Sequence, residues 1–175
     1  EYEYNEIIFE LFTAPKMCKL IEAITYKVGL IFIPMFRLQV IDYWLDNIFK
    51  KDDFLVLVIS GRGYELYENG ELLGQISLEE MKKMVRDGVI GVILGTKSSY
   101  GALDLPELDQ SFLLYSKTAN VVIQAIGRTA RKKDFKIYSI VPVKSIPVYT
   151  SDLIKRKSLI YNYYRDCNIV EHKNL

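Results

Sequence analysis

The sequence predicts an α/β domain, a parallel sheet with helices on both faces and an inserted β-hairpin. Three observations carry this. Short apolar runs such as "FLVLVIS" and "VIGVILGT" alternate with amphipathic segments, the pattern of strands buried on both faces by crossover helices. The stretch "YELYENGELLGQI" departs from that pattern and centres on Asn69-Gly70, a dipeptide suited to a type I′ hairpin turn. Half of the 175 residues are apolar, enough for a sizeable core in a single domain.

Taken in order, "TAPKMCKLIEAI" reads as a helix capped by Thr13, with Pro15 in its first turn and Met17, Leu20, Ile21 and Ile24 on one side. "VGLIFIP" is a short buried strand. "FRLQVIDYWLDNIF" is a helix whose stripe is Leu38, Ile41, Leu45 and Ile48. "FLVLVIS" is the next strand. The hairpin, about residues 64–76, follows as a surface decoration or, more sharply, as a wedge for a partner or nucleic acid. On the first reading it is dispensable to the fold. "SLEEMKKMVRDG" opens with Ser77 and Glu80 as a capping box and stops at Gly88. "VIGVILGT" and "SFLLYS" are strands, "ANVVIQAIG" a short helix, "FKIYSIV" a strand, "SDLIKRKSLIYNYYRD" a helix and "CNIVE" a final short strand.

Composition narrows the function. Lys and Arg total 23 against 22 Asp and Glu, so no global field favours nucleic acid or membrane, and binding of either would need a local patch. Cys18 and Cys167 lie far apart, which excludes a disulfide scaffold or a cysteine zinc site and fits a cytoplasmic protein. His172 stands alone, which disfavours histidine catalysis. No apolar run reaches membrane-spanning length. The chain does not begin with Met, so it is expected to be a piece of a longer protein.

"GVILGTKS" invites comparison with the phosphate-binding loop G-x-x-x-x-G-K-S/T. Only three residues separate Gly91 from Gly95, and Thr96 intervenes before Lys97. Val92, Ile93 and Leu94 belong in a buried strand, where no phosphate can be cradled. A second stretch, "QAIGRTAR", sets Arg128 and Arg131 three apart around a glycine. Arginine suits bidentate phosphate contacts and the charge of a transferring phosphoryl group. With Lys132 and Lys133 following, composition alone favours a solvated basic turn.

The wider sequence resembles the second motor domain of superfamily 2 helicases. "QAIGRTAR" is similar to motif VI, Q-x-x-G-R-x-x-R, through Gln124, Gly127, Arg128 and Arg131. "GTKSSYGALDLPELD" resembles motif V, with Thr96 and, eight positions on, Asp104, then Leu105 and Pro106. "LIFIPMFR" resembles motif IV. "LDLPEL" and the C-terminal helix are similar to the XPB-like branch. Two departures stand out: Ala102 replaces a customary glycine, and Met35 and Phe36 replace polar residues after motif IV, leaving Arg37 for a phosphate contact.

The resemblance implies a RecA-like fold and half of an ATP site. Arg128 and Arg131 would be arginine fingers, Asp104 would hold the ribose, and Gln124 and Gly127 would line the nucleotide cleft. Thr96, Lys97, Ser98 and Arg37 would meet one nucleic-acid strand, DNA in preference to RNA. ATP and Mg2+ are the implied ligands, with the magnesium held by an N-terminal RecA-like domain of the same protein. No membrane partner is implied. The alternative is an inactive RecA-like adaptor for nucleic acid or protein. Tyr161, Tyr163 and Tyr164 suit packing or base stacking, and Lys155, Arg156 and Lys157 a solvated face or a nucleic-acid patch.

Overall fold

A computed structural model describes residues 2–28, 30–35, 37–50, 54–96, 110–113 and 136–139. The described elements are α1 (Tyr2–Thr13), α2 (Pro15–Val28), β1 (Ile31–Pro34), α3 (Leu38–Asn47), β2 (Leu55–Ser60), β3 (Gly63–Glu68), β4 (Glu71–Ile76), α4 (Leu78–Arg86), β5 (Ile90–Gly95), β6 (Gln110–Leu113) and β7 (Lys136–Ser139). The strands form one sheet in the order β4-β3-β2-β5-β1-β6-β7. Pairing is parallel from β2 through β5, β1 and β6 to β7, and antiparallel from β2 to β3 and β3 to β4. The architecture is RecA-like, with a parallel core.

Topology places the helices. The step from β1 to β2 skips over β5, and the return from the hairpin to β5 runs the opposite way. Right-handed crossovers in opposite directions put α3 and α4 on opposite faces. Burial agrees. Ile31, Ile33, Val56, Val58, Val92 and Leu94 share a cluster with Ile8 and Phe12 of α1, Ile21 of α2, and Ile41, Trp44 and Leu45 of α3. Leu57, Ile93 and Phe32, in register across β2, β5 and β1, alternate to the other face and are fully buried. Met81 and Val85, the buried residues of α4, stand outside the first cluster.

The expected stripe of α3 is buried at Ile41, Leu45 and Ile48, joined by Trp44 and Val40. Trp44 explains how α1 is fixed. Its buried indole N–H donates to the Phe12 carbonyl at 2.7 Å, and the two rings meet edge to face at 6.5 Å. The last carbonyls of a helix lack partners within it, and a buried tryptophan needs an acceptor, so each end satisfies the other. Thr13 corrects an expectation. It does not cap α2; it is the last residue of α1, and its hydroxyl donates to the Phe9 carbonyl at 2.7 Å. Thr13 closes a helix over residues 2–13, so the chain is already helical where a cap was expected.

The Ser77 cap of α4 is present, with the Glu80 carboxylate meeting the Ser77 hydroxyl in place of the backbone N–H of a full capping box. The Ser77 hydroxyl oxygen accepts the Glu80 N–H at 3.1 Å and the hydroxyl donates to the Glu80 carboxylate. The helix closes with Gly88 at φ +73, its N–H donating to Val85 and that of Val89 to Met84, the double bond of a Schellman ending.

The hairpin turn is as expected, with Asn69 and Gly70 both at positive φ. Its place in the fold is not. β3 pairs with β2 along its whole length, from Leu55↔Glu68 to Ser60↔Gly63, and buries Glu65, Leu66 and Tyr67. The turn also touches the body: a Cβ on Gly70 would stand 2.7 Å from the Leu45 carbonyl oxygen. The surface-decoration reading is therefore corrected. β2 would otherwise offer an unpaired edge, and the hairpin extends the sheet there. The elements expected over residues 119–127, 151–166 and 167–171, and the ends of those expected over 111–116 and 135–141, lie outside the described residues.

Candidate functional site

Ligands of open α/β sheets gather beyond the carboxyl ends of the parallel strands. At that edge β1, β5 and β2 end together, with Pro34↔Gly95 and Ile59↔Gly95 in register. Two backbone bonds continue the ladder past it: Met35 N–H donates to Gly95 at 2.9 Å and Thr96 N–H to Ile59 at 3.0 Å. These bonds fix where the chain leaves the sheet. Thr96 is the first residue past β5, and Arg37 stands two residues past Met35 on the chain leaving β1. Of the nine residues assigned to sites from the sequence, the structure describes these two and brings them to one edge. Lys97, Ser98, Asp104, Gln124, Gly127, Arg128 and Arg131 lie outside the described residues.

The segment "GVILG" is not a phosphate loop. Val92, Ile93 and Leu94 are fully buried in β5 between β1 and β2. Gly91 has a packing reason. Leu55 pairs with Ile90 and Val56 with Val92, so Gly91 is an extra residue in the ladder. A Cβ there would collide with the Phe54 ring, which packs with Tyr26 at 4.5 Å and Phe49 at 6.3 Å. Glycine in a strand marks this kind of bulge and close approach.

Arg37 is the N-cap of α3, in extended backbone and with no side-chain cap. Its carbonyl accepts the N–H groups of Val40 and Ile41. Its side chain turns onto α1. The guanidinium lies 5.6 Å from the centre of the Phe9 ring, and Nη2 donates to Glu6 Oε1 at 3.5 Å. Nε is buried and has no hydrogen-bond partner among the described residues. The side chain is 23% exposed and that of Glu6 43%. The sequence reading missed Glu6 and Phe9 because it assigned no element to the first twelve residues. The signal was available: Ile8 and Phe12, one helical turn apart, are both buried.

Other chemistry is sparse. Burial and then the nearby Glu22 push the Cys18 thiol up, so it stays protonated and is a poor nucleophile. Among the described residues, no group of three His, Cys, Asp or Glu side chains could hold a metal ion, and no helix is long and apolar enough to cross a membrane. A groove lined by Glu22, Ala23, Tyr26, Asn47, Ile48 and Lys50 lies at the far end of α3 from Arg37.

The fold is RecA-like, and the chain is structurally similar to solved C-terminal ATPase and helicase domains. It superposes on the C-terminal part of the Fun30 ATPase domain with a TM-score of 0.55 at 17% identity, covering 92% of this chain and 46% of that one. It matches the DUF1998 helicase MrfA, solved with DNA and AMPPNP, with a TM-score of 0.59 at 15% identity over 86% of this chain and 20% of that one. It matches the C-terminal domain of the DEAD-box protein Dbp5 with a TM-score of 0.54 at 15% identity, covering 86% and 79%. At these identities the likeness is one of fold. The chain spans less than half of the Fun30 chain and a fifth of MrfA. No family model matches the chain, and no curated protein matches it by sequence.

Proposed function

We propose that this chain is the second motor domain of an ATP-dependent nucleic-acid helicase or translocase, nearest to the XPB-like branch. One observation carries the reading. "QAIGRTAR" holds Gln124, Gly127, Arg128 and Arg131 in motif VI spacing, on a chain whose fold is that of such second domains. In this reading Arg128 and Arg131 reach the γ-phosphate of ATP across a cleft shared with an N-terminal RecA-like domain of the same protein. Asp104 accepts a hydrogen bond from the ribose, and Gln124 and Gly127 line the cleft. Mg2+ would neutralise phosphate charge from ligands on that first domain. Thr96, Lys97, Ser98 and Arg37 meet the phosphates of one strand, contacts that position without reading sequence. The co-occurrence of DNA and AMPPNP on MrfA supports this pair of ligands, with DNA favoured over RNA.

An arginine finger meets charge that is greatest in the transition state, so its loss affects rate more than binding. In the full-length protein, Arg131→Ala is expected to lower ATP turnover by about 10³- to 10⁵-fold while nucleotide affinity is largely kept, as read by phosphate release and labelled-nucleotide titration. Undiminished turnover would overturn the motor reading of motif VI. Undetectable turnover in both proteins, with strand binding intact, would instead favour the adaptor.

A further inference from the structure

Arg37 is already held by an anion of the chain itself. We infer that Glu6 is an internal competitor for the strand: its carboxylate occupies Arg37 where a backbone phosphate would sit, and strand binding must displace it. The inference rests on the proposed role of Arg37 at the strand-binding edge.

Four observations support it. Arg37 follows the end of β1 and Thr96 the end of β5, and these two strands end in register. Glu6 satisfies it poorly, through one nitrogen at 3.5 Å, whereas a guanidinium offers five N–H groups and suits two-point contact with an oxyanion. Nε is buried without an acceptor among the described residues, so Glu6 leaves part of the fork's donor capacity unmet. The Phe9 ring lies against the guanidinium independently of the carboxylate. The cation thus stays poised when Glu6 rotates away.

The Glu6 side chain is 43% exposed, so it can swing into water without disturbing α1. The helix remains anchored at its other end by the Trp44 bond to Phe12. A pair this open to water is weak, and a polyanionic strand can outcompete it. Its effect is to raise the threshold for binding, so that a single stray phosphate does not engage the edge and a strand with several phosphates does.

The test uses the full-length protein and a labelled oligo-dT titrated at two salt concentrations. Glu6→Gln is compared with Glu10→Gln, which removes the same charge from α1 at an exposed site. Glu6→Gln is expected to tighten binding by roughly two- to fivefold, the range of a partly exposed ion pair, beyond any change from Glu10→Gln. Arg37→Met, which keeps an apolar stem against Phe9, should weaken binding, and Glu6→Gln added to it should give no further gain. Thermal unfolding of each variant verifies that it is folded. Equal effects of Glu6→Gln and Glu10→Gln, or a gain that persists without Arg37, overturn the competitor while leaving Arg37 as a strand contact. Unchanged binding in folded Arg37→Met overturns that contact, and the competitor with it.

Discussion

β5 and β4 are six residues each, belong to one sheet, and each carries one extra residue in its ladder. They use it differently. In β5 the extra residue is Gly91, and the space it leaves is filled by the Phe54 ring. The strand is flanked by β2 and β1 and is buried at five of its six positions. In β4 the extra residue is Leu73, next to Gly74, and Leu72 and Leu73 are both exposed, at 53% and 56%. The contrast teaches that leucine content does not decide burial here; position in the strand order does. One irregularity admits a core side chain, and the other bends an edge into solvent.

If the hairpin is an integral part of the sheet, its removal should be the most damaging change. Deleting residues 64–76 and closing the gap with a short Gly-Ser loop strips β2 of its antiparallel partner and removes buried Leu66 and Tyr67. The expected outcome is loss of cooperative thermal unfolding. A sharp transition in the deleted protein would restore the hairpin to the status of an attachment.

Ile93→Ala probes the centre of β5. The side chain is fully buried between Phe32 and Leu57, so a loss of about 2–5 kcal/mol is expected in denaturant titrations. Leu73→Ala, its counterpart in β4, should cost no more than about 0.5 kcal/mol. Similar losses would erase the comparison.

Arg62→Ala acts between these extremes. Arg62, in the turn from β2 to β3, pairs with buried Glu65 at 3.1 Å and with Asp42 of α3 at 3.7 Å. Removing it strands a buried carboxylate. Arg62 is itself 44% exposed, so screening limits the expected loss to about 1–2 kcal/mol. Glu65→Gln should recover part of it in the same background, and no recovery would show that the pair is not the cause.

The smallest effect is one of pH. Burial and then Glu65 push the Tyr67 phenol up, with Arg62 opposing and Asp42 adding to the rise. A raised folded value means the stabilisation is intact below about pH 10, the ordinary phenol value, and is lost as pH rises through the folded one. Tyr67→Phe should therefore flatten the alkaline fall in stability. An unaltered profile would remove Tyr67 as its source.

Much of the fold was legible because its signals are local. Ser77 and Glu80 mark the start of α4, Gly88 its stop, and Asn69-Gly70 the turn of the hairpin; each works through bonds within a few residues. What escaped was long-range. Nothing near residue 64 announces that β3 will lie against β2 rather than project from it. α1 went unread because it lacks a recognisable cap and because Thr13, which looks like one for α2, bonds backward to Phe9. That omission hid the partner of Arg37. The carboxyl edge was legible at Thr96, since a buried strand that ends in Gly-Thr must leave the sheet there.

The extra residue in β4 has a consequence for crowding. At high local concentration, copies of this domain would meet edge to edge. A straight outer strand would then template its neighbour by backbone pairing. β4 offers only a short regular run before Leu73 breaks the repeat, and Glu71 stands exposed at its start. An approaching backbone meets a ladder whose spacing changes partway along, so the sheet stops at β4 instead of propagating from one molecule to the next.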